Sequence, residues 1–271
     1  MAIRNGKLER LIEIPTGDYS LSLTETGGVT GQAVTATAGE TSFLSSAYAG
    51  TGGTGNSLIA QLQADLTSVG HEYAVTIGAG ENGTGKVTID RTGSDNFAVV
   101  WTSTELRDLL GFSQGNLTGA NAYTGASQAQ GLWLPNTPMN SLFGAADSGF
   151  YESDAMATES PSGHVKAFFG NKKKINQIMW TGITHAKCRA SAESTSNESF
   201  EQFWLDSILA EKSFANGPAG IIRVYWDAGD DTTYEDYKVV GRALNEFNPE
   251  KIEDGWLGLW RINLERLVVV P

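Results

Sequence analysis

The spacing of apolar and polar positions changes several times along the chain, and each change marks an element. Leu58, Ile59, Leu62, Leu66 and Val69 recur at helical spacing and share one face, which predicts an amphipathic helix over 57–69 with Asn56 as its N-cap. The period then drops to two. Tyr73, Val75 and Ile77 alternate with polar residues, and Val87 and Ile89 do so after a run of glycines, the pattern of a hairpin. Phe97 to Trp101 is continuously apolar, as in a strand covered on both faces. Thr102 and Glu105 have capping-box spacing ahead of Leu106, Leu109 and Leu110, so a short helix is expected over 103–110. Gly111 supplies a left-handed stop, after which Phe112 folds back.

Upstream, Leu8, Ile12 and Ile14 alternate loosely as far as a Pro15–Asp18 turn, and Tyr19, Leu21 and Leu23 alternate strictly. Residues 25–57 are rich in Gly, Thr, Ala and Ser and read as an insertion or mobile loop, with Phe43, Leu44 and Tyr48 to anchor its middle. Residues 113–131 are again small and polar and read as a long arm, a length that compact domains reserve for binding. The apolar GLWLPNTP run (Gly131 to Pro138) reads as a boundary, and 139–163 as irregular and acidic.

Strand patterns return at Val165–Phe169, Ile175–Ile183, Ile221–Trp226 and Tyr237–Val240. A long terminal strand places Trp256, Trp260, Ile262 and Leu264 on one face. One helix is expected near 199–211, capped by Thr195 or Ser199, with Phe200, Phe203, Trp204 and Ile208 aligned. The fold class that follows is mainly β with a few short helices, a β-rich α+β protein of antiparallel sandwich-like domains with long irregular loops. The expected division is an N-terminal β-rich domain (1–130), a linker or arm (131–163) and a C-terminal antiparallel domain (164–271).

Composition narrows the function. The 271 residues are 40% hydrophobic, enough for a real core, and carry a net charge of −12 from 19 basic and 31 acidic residues. That balance excludes nucleic acid as the main partner, because phosphate must be met by clustered cations. The opening residues have no apolar signal core and no stretch approaches a membrane span, so synthesis in a cytoplasm is expected. The single cysteine, Cys188, permits no intramolecular disulfide and reads as a small buried hydrophobe, although Lys187 and Arg189 beside it could activate the thiol.

Candidate chemistry is sparse. Gly80 to Lys86 satisfies the start of a phosphate loop, but Val87 stands where a magnesium-holding hydroxyl belongs and a strand follows in place of a helix, so a hairpin turn is expected. Asp227, Asp230 and Asp231 gather carboxylates in a turn, as a hard cation would require, without EF-hand spacing; a solvated turn is the simpler reading. His71, His164 and His185 are isolated, and no catalytic, cofactor-binding or metal-ligating residue is assigned. Lys172 to Lys174 forms a basic turn, a contact for an acidic neighbour if it has a role. Trp133, between glycine-rich and proline-rich segments, reads as an interface anchor.

The order of pieces carries a resemblance. An Ile12–Ser20 opening is followed by the leucine-spaced helix, the hairpin, Phe97–Trp101 and Leu109-Leu110-Gly111-Phe112. Over about the first 115 residues this resembles a unit of virion structural proteins of tailed bacteriophages. The second half looks like tail or baseplate components. The resemblance implies a non-enzymatic subunit, distal-tail-like, that self-assembles into a ring, docks other tail proteins and resides in the virion, with no cofactor. The alternative is a receptor- or carbohydrate-binding fibre module using Trp133, Tyr123, Asp227, Asp230 and Asp231.

Overall fold

The computed structural model describes residues 6–13, 20–26, 30–35, 41–47, 55–69, 71–78, 83–134, 139–141, 150–153, 156–159, 165–168, 172–184, 188, 199–207, 221–230, 232–240, 250–253 and 256–266. In chain order these form β1 (Lys7–Arg10), β2 (Ile12–Glu13), β3 (Ser20–Glu25), β4 (Thr30–Thr35), β5 (Thr41–Ser42), α1 (Leu58–Val69), β6 (Tyr73–Ile77), β7 (Val87–Arg91), β8 (Phe97–Trp101), α2 (Thr104–Leu109), β9 (Asn116–Ala120), β10 (Ala122–Thr124) and β11 (Leu132–Trp133). Then come β12 (Met139–Ser141), β13 (Phe150–Ser153), β14 (Met156–Glu159), β15 (Val165–Phe168), β16 (Lys172–Thr184), α3 (Phe200–Ser207), β17 (Ile221–Tyr225), β18 (Glu235–Val240), β19 (Glu250–Glu253) and β20 (Trp256–Arg266). The fold is mainly β with short helices, a β-rich α+β fold, and every described strand pairing is antiparallel.

The first core lies between a four-stranded sheet, β4-β3-β8-β9, and a three-stranded sheet, β10-β7-β6. Leu21, Leu23, Phe97 and Val99 face Tyr73, Val75, Val87 and Ile89 there, and α1 adds Leu58, Leu62 and Leu66. Period-two and period-3.6 patterns thus end on one shared interior, as amphipathic elements must. A nine-stranded sheet, β11-β1-β17-β18-β20-β16-β12 with β13 also on β16 and β19 also on β20, carries the second core. In that core Trp133, Phe200, Phe203, Trp204, Val224 and Tyr237 pack together.

Helix ends refine the expected caps. Ser57, not Asn56, caps α1, its Oγ accepting from Ala60 N at 3.0 Å. Ser103, not Thr102, caps α2 by accepting from Leu106 N, so Glu105 falls at the second helical position and the expected box at 102 and 105 does not form. Ser199 caps α3 by accepting from Gln202 N at 3.1 Å. The Gly111 stop is as expected: φ is +79°, Gly111 N donates to Asp108 O at 3.1 Å and Phe112 N to Arg107 O at 3.0 Å, the paired bonds of a Schellman end. A Cβ there would lie 2.3 Å from Ser127 O.

Three expectations are corrected. Residues 113–131 are not a loose arm: β9 completes the four-stranded sheet, β10 the three-stranded one, and Ala129 lies in the core. Small residues hid these strands because edge positions need little apolar content. Residues 139–163 are not irregular throughout, since β12, β13 and β14 lie within them. Strand β1, from the N-terminal part, pairs with β17, Leu8 opposite Val224, and with β11. Trp133 belongs to the interior and not to a surface. It is fully buried against Phe200 while Leu132 and Leu134 enter the first core, so the run GLWL is a strand buried on both faces.

A buried polar clasp fixes Ser42–Ala47 to β1 and β17. Arg223 gives Nε and Nη2 to Asp236 at 2.6 and 2.8 Å and Nη1 to Ala47 O at 2.8 Å. Its guanidinium lies 4.1 Å from the Phe43 ring centre and 3.7 Å from that of Tyr234. Beside it Glu9 accepts from Ser45 N and Oγ and from Ser46 Oγ, with the Tyr225 hydroxyl 3.0 Å away. The expectation that Phe43 and Leu44 anchor this stretch is met, both being fully buried; Tyr48 lies outside the described residues. Burial alone would disfavour the charge on Arg223; its pairing with Asp236 outweighs that. Arg223→Ala is expected to lower unfolding free energy by roughly 3–5 kcal/mol, since it strands a buried carboxylate. Arg223→Lys should restore only a minor part, because an ammonium cannot form the two-pronged bond. Urea denaturation of the three proteins measures both.

Candidate functional site

The fates of the sequence candidates come first. The Gly80–Lys86 segment is the hairpin link expected: Gly85 N donates to Gly78 O, Val87 opens β7, and Gly85 packs on Gln128 with φ +67°. Residues 79–82 lie outside the described residues. Asp227 and Asp230 serve their own turn. Asp227 Oδ1 accepts from Gly229 N, and Asp230 Oδ1 from Thr232 N at 2.8 Å, Thr232 Oγ1 at 2.6 Å and Thr233 N. Those bonds hold the Asp230 carboxyl well below the usual carboxylate range. Asp231 lies outside the described residues, and among those described no cluster of His, Cys, Asp or Glu is grouped to hold a metal.

Cys188 is fully buried in the second core, as the simple reading expects. Lys172 to Lys174 open β16 and are not a turn; Lys173 stands in register opposite Glu152 of β13. Tyr123 is half-buried and its hydroxyl is committed, donating to Phe97 O at 2.6 Å and accepting from Ala120 N. Of the described residues proposed for glycan contact, Trp133 is therefore buried and the Tyr123 hydroxyl is already engaged. His164 and His185 lie outside the described residues.

His71 is not isolated. It meets Glu25 and Arg91, and Tyr73 shares the same carboxylate; the sequence reading gave none of the three a polar role. Glu25 Oε1 accepts from His71 N at 3.0 Å and Tyr73 Oη at 2.6 Å, while Oε2 contacts His71 Nδ1. Arg91 Nε is 3.7 Å from Glu25 Oε1. Burial opposes the Glu25 charge, but the His71 backbone bond, the Tyr73 and His71 side-chain bonds and the Arg91 charge prevail and bring its pKa down to about 2. The Tyr73 phenol is pushed up by burial and by donation to Glu25. A signal for the cluster did exist: Glu25 continues the apolar register of Leu21 and Leu23, and Arg91 that of Val87 and Ile89, so both charges stand at inward positions.

One surface is distinct in chemistry. Residues 113–124, SQGNLTGANAYT, run along the outside of both small sheets and carry no Asp, Glu, Lys, Arg, His or Pro. Apart from Leu117 they are exposed or half-exposed. Among described strands β9 pairs only with β8 and β10 only with β7. A bulge interrupts the ribbon where the register slips between Leu117 and Ala120, with Gly119 at φ +84°, so it offers two short edges on either side of a kink. The far edge of the three-stranded sheet is different. There α1 closes β6, Gln63 Oε1 accepting from Val75 N at 3.1 Å and Thr67 Oγ1 from Tyr73 N at 3.3 Å.

No known protein family, no characterised protein and no solved structure matches the chain.

The Glu25 cluster predicts an acid limb in stability. Folding lowers this pKa from the ordinary 4.5 to about 2, so its contribution is full above pH 4.5 and is lost as pH falls toward 2. The amount is roughly 3 kcal/mol. Urea unfolding between pH 6 and 2.5 should show that loss in the wild type and a flatter limb in Glu25→Gln.

Proposed function

We propose that the chain is a structural subunit of a phage particle, of the tail or baseplate kind, that associates with sister copies through the uncharged ribbon at 113–124. The observation that carries this reading is a contrast. The chain holds 31 acidic against 19 basic residues, yet this exposed run of twelve has no charge at all. Copies bearing −12 each repel across most of their surfaces and approach at lowest cost where charge is absent. Edge strands are ordinarily guarded by charges or proline as well as by bulges; here only the bulge is present. The resemblance of the helix–hairpin–strand–helix order to virion proteins supports the particle setting. Ring closure requires a heterologous contact, so the ribbon of one copy meets a different surface on the next. Other tail proteins are the remaining partners in this reading.

The test places charge in the ribbon without touching the cores. Asn116→Glu with Ala122→Glu changes two exposed positions, so the melting temperature should stay within a degree or two of wild type. Light scattering and negative-stain microscopy over a concentration series should show assemblies for the wild type and their loss, or a tenfold or greater weakening, in the variant. A wild type that remains monomeric at high concentration would sink the reading.

A further inference from the structure

The contact between His71, Glu25 and Arg91 contains more partners than one nitrogen can serve. His71 Nδ1 is in hydrogen-bond contact with Glu25 Oε2 and lies 3.0 Å from Arg91 Nη2. A neutral ring with its proton on Nδ1 donates to Glu25 but turns that N–H toward an arginine N–H. With the proton on Nε2, Nδ1 accepts from Arg91 but turns its lone pair toward a carboxylate. The imidazolium satisfies Glu25 and repels the guanidinium.

Arg91 is equipped to leave. Its side chain is 4% exposed, and Nε and Nη1 are buried without a hydrogen-bond partner among the described residues. Nη2 already lies 3.5 Å from Asp95 Oδ2 on the exposed Thr92–Asn96 loop. The charged and titratable groups about His71 are therefore Glu25 from β3 and Arg91 from β7, both in contact with it, then Tyr73 from β6 bonded to Glu25 and Asp95 of that loop beside Arg91, with exposed Glu72 next in chain.

We propose that His71 is a proton-operated selector that decides whether Arg91 is held at His71 or released to Asp95. Protonation of the ring transfers the pairing of Glu25 to the imidazolium and moves Arg91 outward onto Asp95. The move is felt at one end of the small sheets, because the 92–96 loop is tied to three other segments. Thr92 N donates to Glu72 O, Thr26 N to Asn96 O, and Asn121 Nδ2 to Gly93 O at 3.3 Å. The selector is internal to one copy and stands whether or not copies associate through the ribbon.

The experiment is a carbon NMR titration of the full chain, labelled at His Cε1 and Asp Cγ, from pH 4.5 to 8.5. The chain has three histidines, so His71→Gln identifies the His71 signal by its loss, and Asp95→Asn does the same for Asp95. The selector predicts that the Asp95 carboxyl signal inflects at the pH where His71 titrates, and that the inflection is absent in His71→Gln. A merely structural histidine would change the melting temperature and leave Asp95 indifferent to imidazole protonation; that result overturns the proposal. Should His71→Gln not fold, Asp95→Asn decides. Loss of the outward partner should lower the His71 midpoint by about half a pH unit or more, and an unchanged midpoint overturns the selector.

Discussion

The fold depends on a short piece of chain that serves two interiors at once. Leu132 and Leu134 enter the core between the small sheets, and Trp133 enters the core on the nine-stranded sheet. The chain running from β1 into β2 also serves both interiors: Leu8 on β1 belongs to the second core, Ile12 on β2 to the first, and Leu11 between the strands packs with Phe43 and Ile221. In β11, side-chain period two makes the double service possible and also makes it unforgiving. A slip of one residue would exchange the two cores and place a tryptophan where a leucine fits. Gly131 guards the register. Arg10 N donates to its carbonyl at 2.9 Å, its φ is +87°, and a Cβ on it would stand 2.7 Å from Ile12 Cδ1.

Burying charge is a second consequence of bringing two bodies so close. Lys7 and Glu9 on β1 are fully buried, and Arg223 on β17 nearly so. Such groups are tolerated only when their donors and acceptors are met. Glu9 finds its partners in the stretch at 42–47, whose serine hydroxyls turn inward to it, and Arg223 adds the Ala47 carbonyl of that stretch to its pairing with Asp236. A small, polar stretch is thereby tied into the interior by directional bonds where apolar area is scarce. The Phe43–Arg223–Tyr234 stack adds contact on both faces of the guanidinium.

Much of this was legible in residue order. The helical spacing of Leu58, Leu62 and Leu66, the alternation in Tyr73–Ile77 and the glycine after Leu110 each yielded the element they announced. The apolar run at Phe97–Trp101 is a strand as expected but is not covered on both faces, since Val100 is exposed. What escaped has a common cause. Strands β9 and β10 are built of Asn, Thr, Gly and Ala because one side faces solvent, so they lack the apolar alternation by which strands are recognised. Trp133 was misplaced because local sequence cannot show that two cores meet on one strand. The Glu25 cluster was missed because its members, at 25, 71, 73 and 91, become neighbours only after β3 is laid beside β8 and β6 beside β7. Their charged presence at inward positions was visible, but a lone charge in a strand says nothing of who answers it.

Helix α1 seals one flank of the three-stranded sheet by giving Gln63 and Thr67 to its outer amides. Among the described residues the opposite flank, β10, has no such stopper. A sheet with one shut side and one open side has a direction, as a tile with a single tongue has. Edge-to-edge growth of this sheet past β6 is thereby opposed by a glutamine and a threonine on a helix.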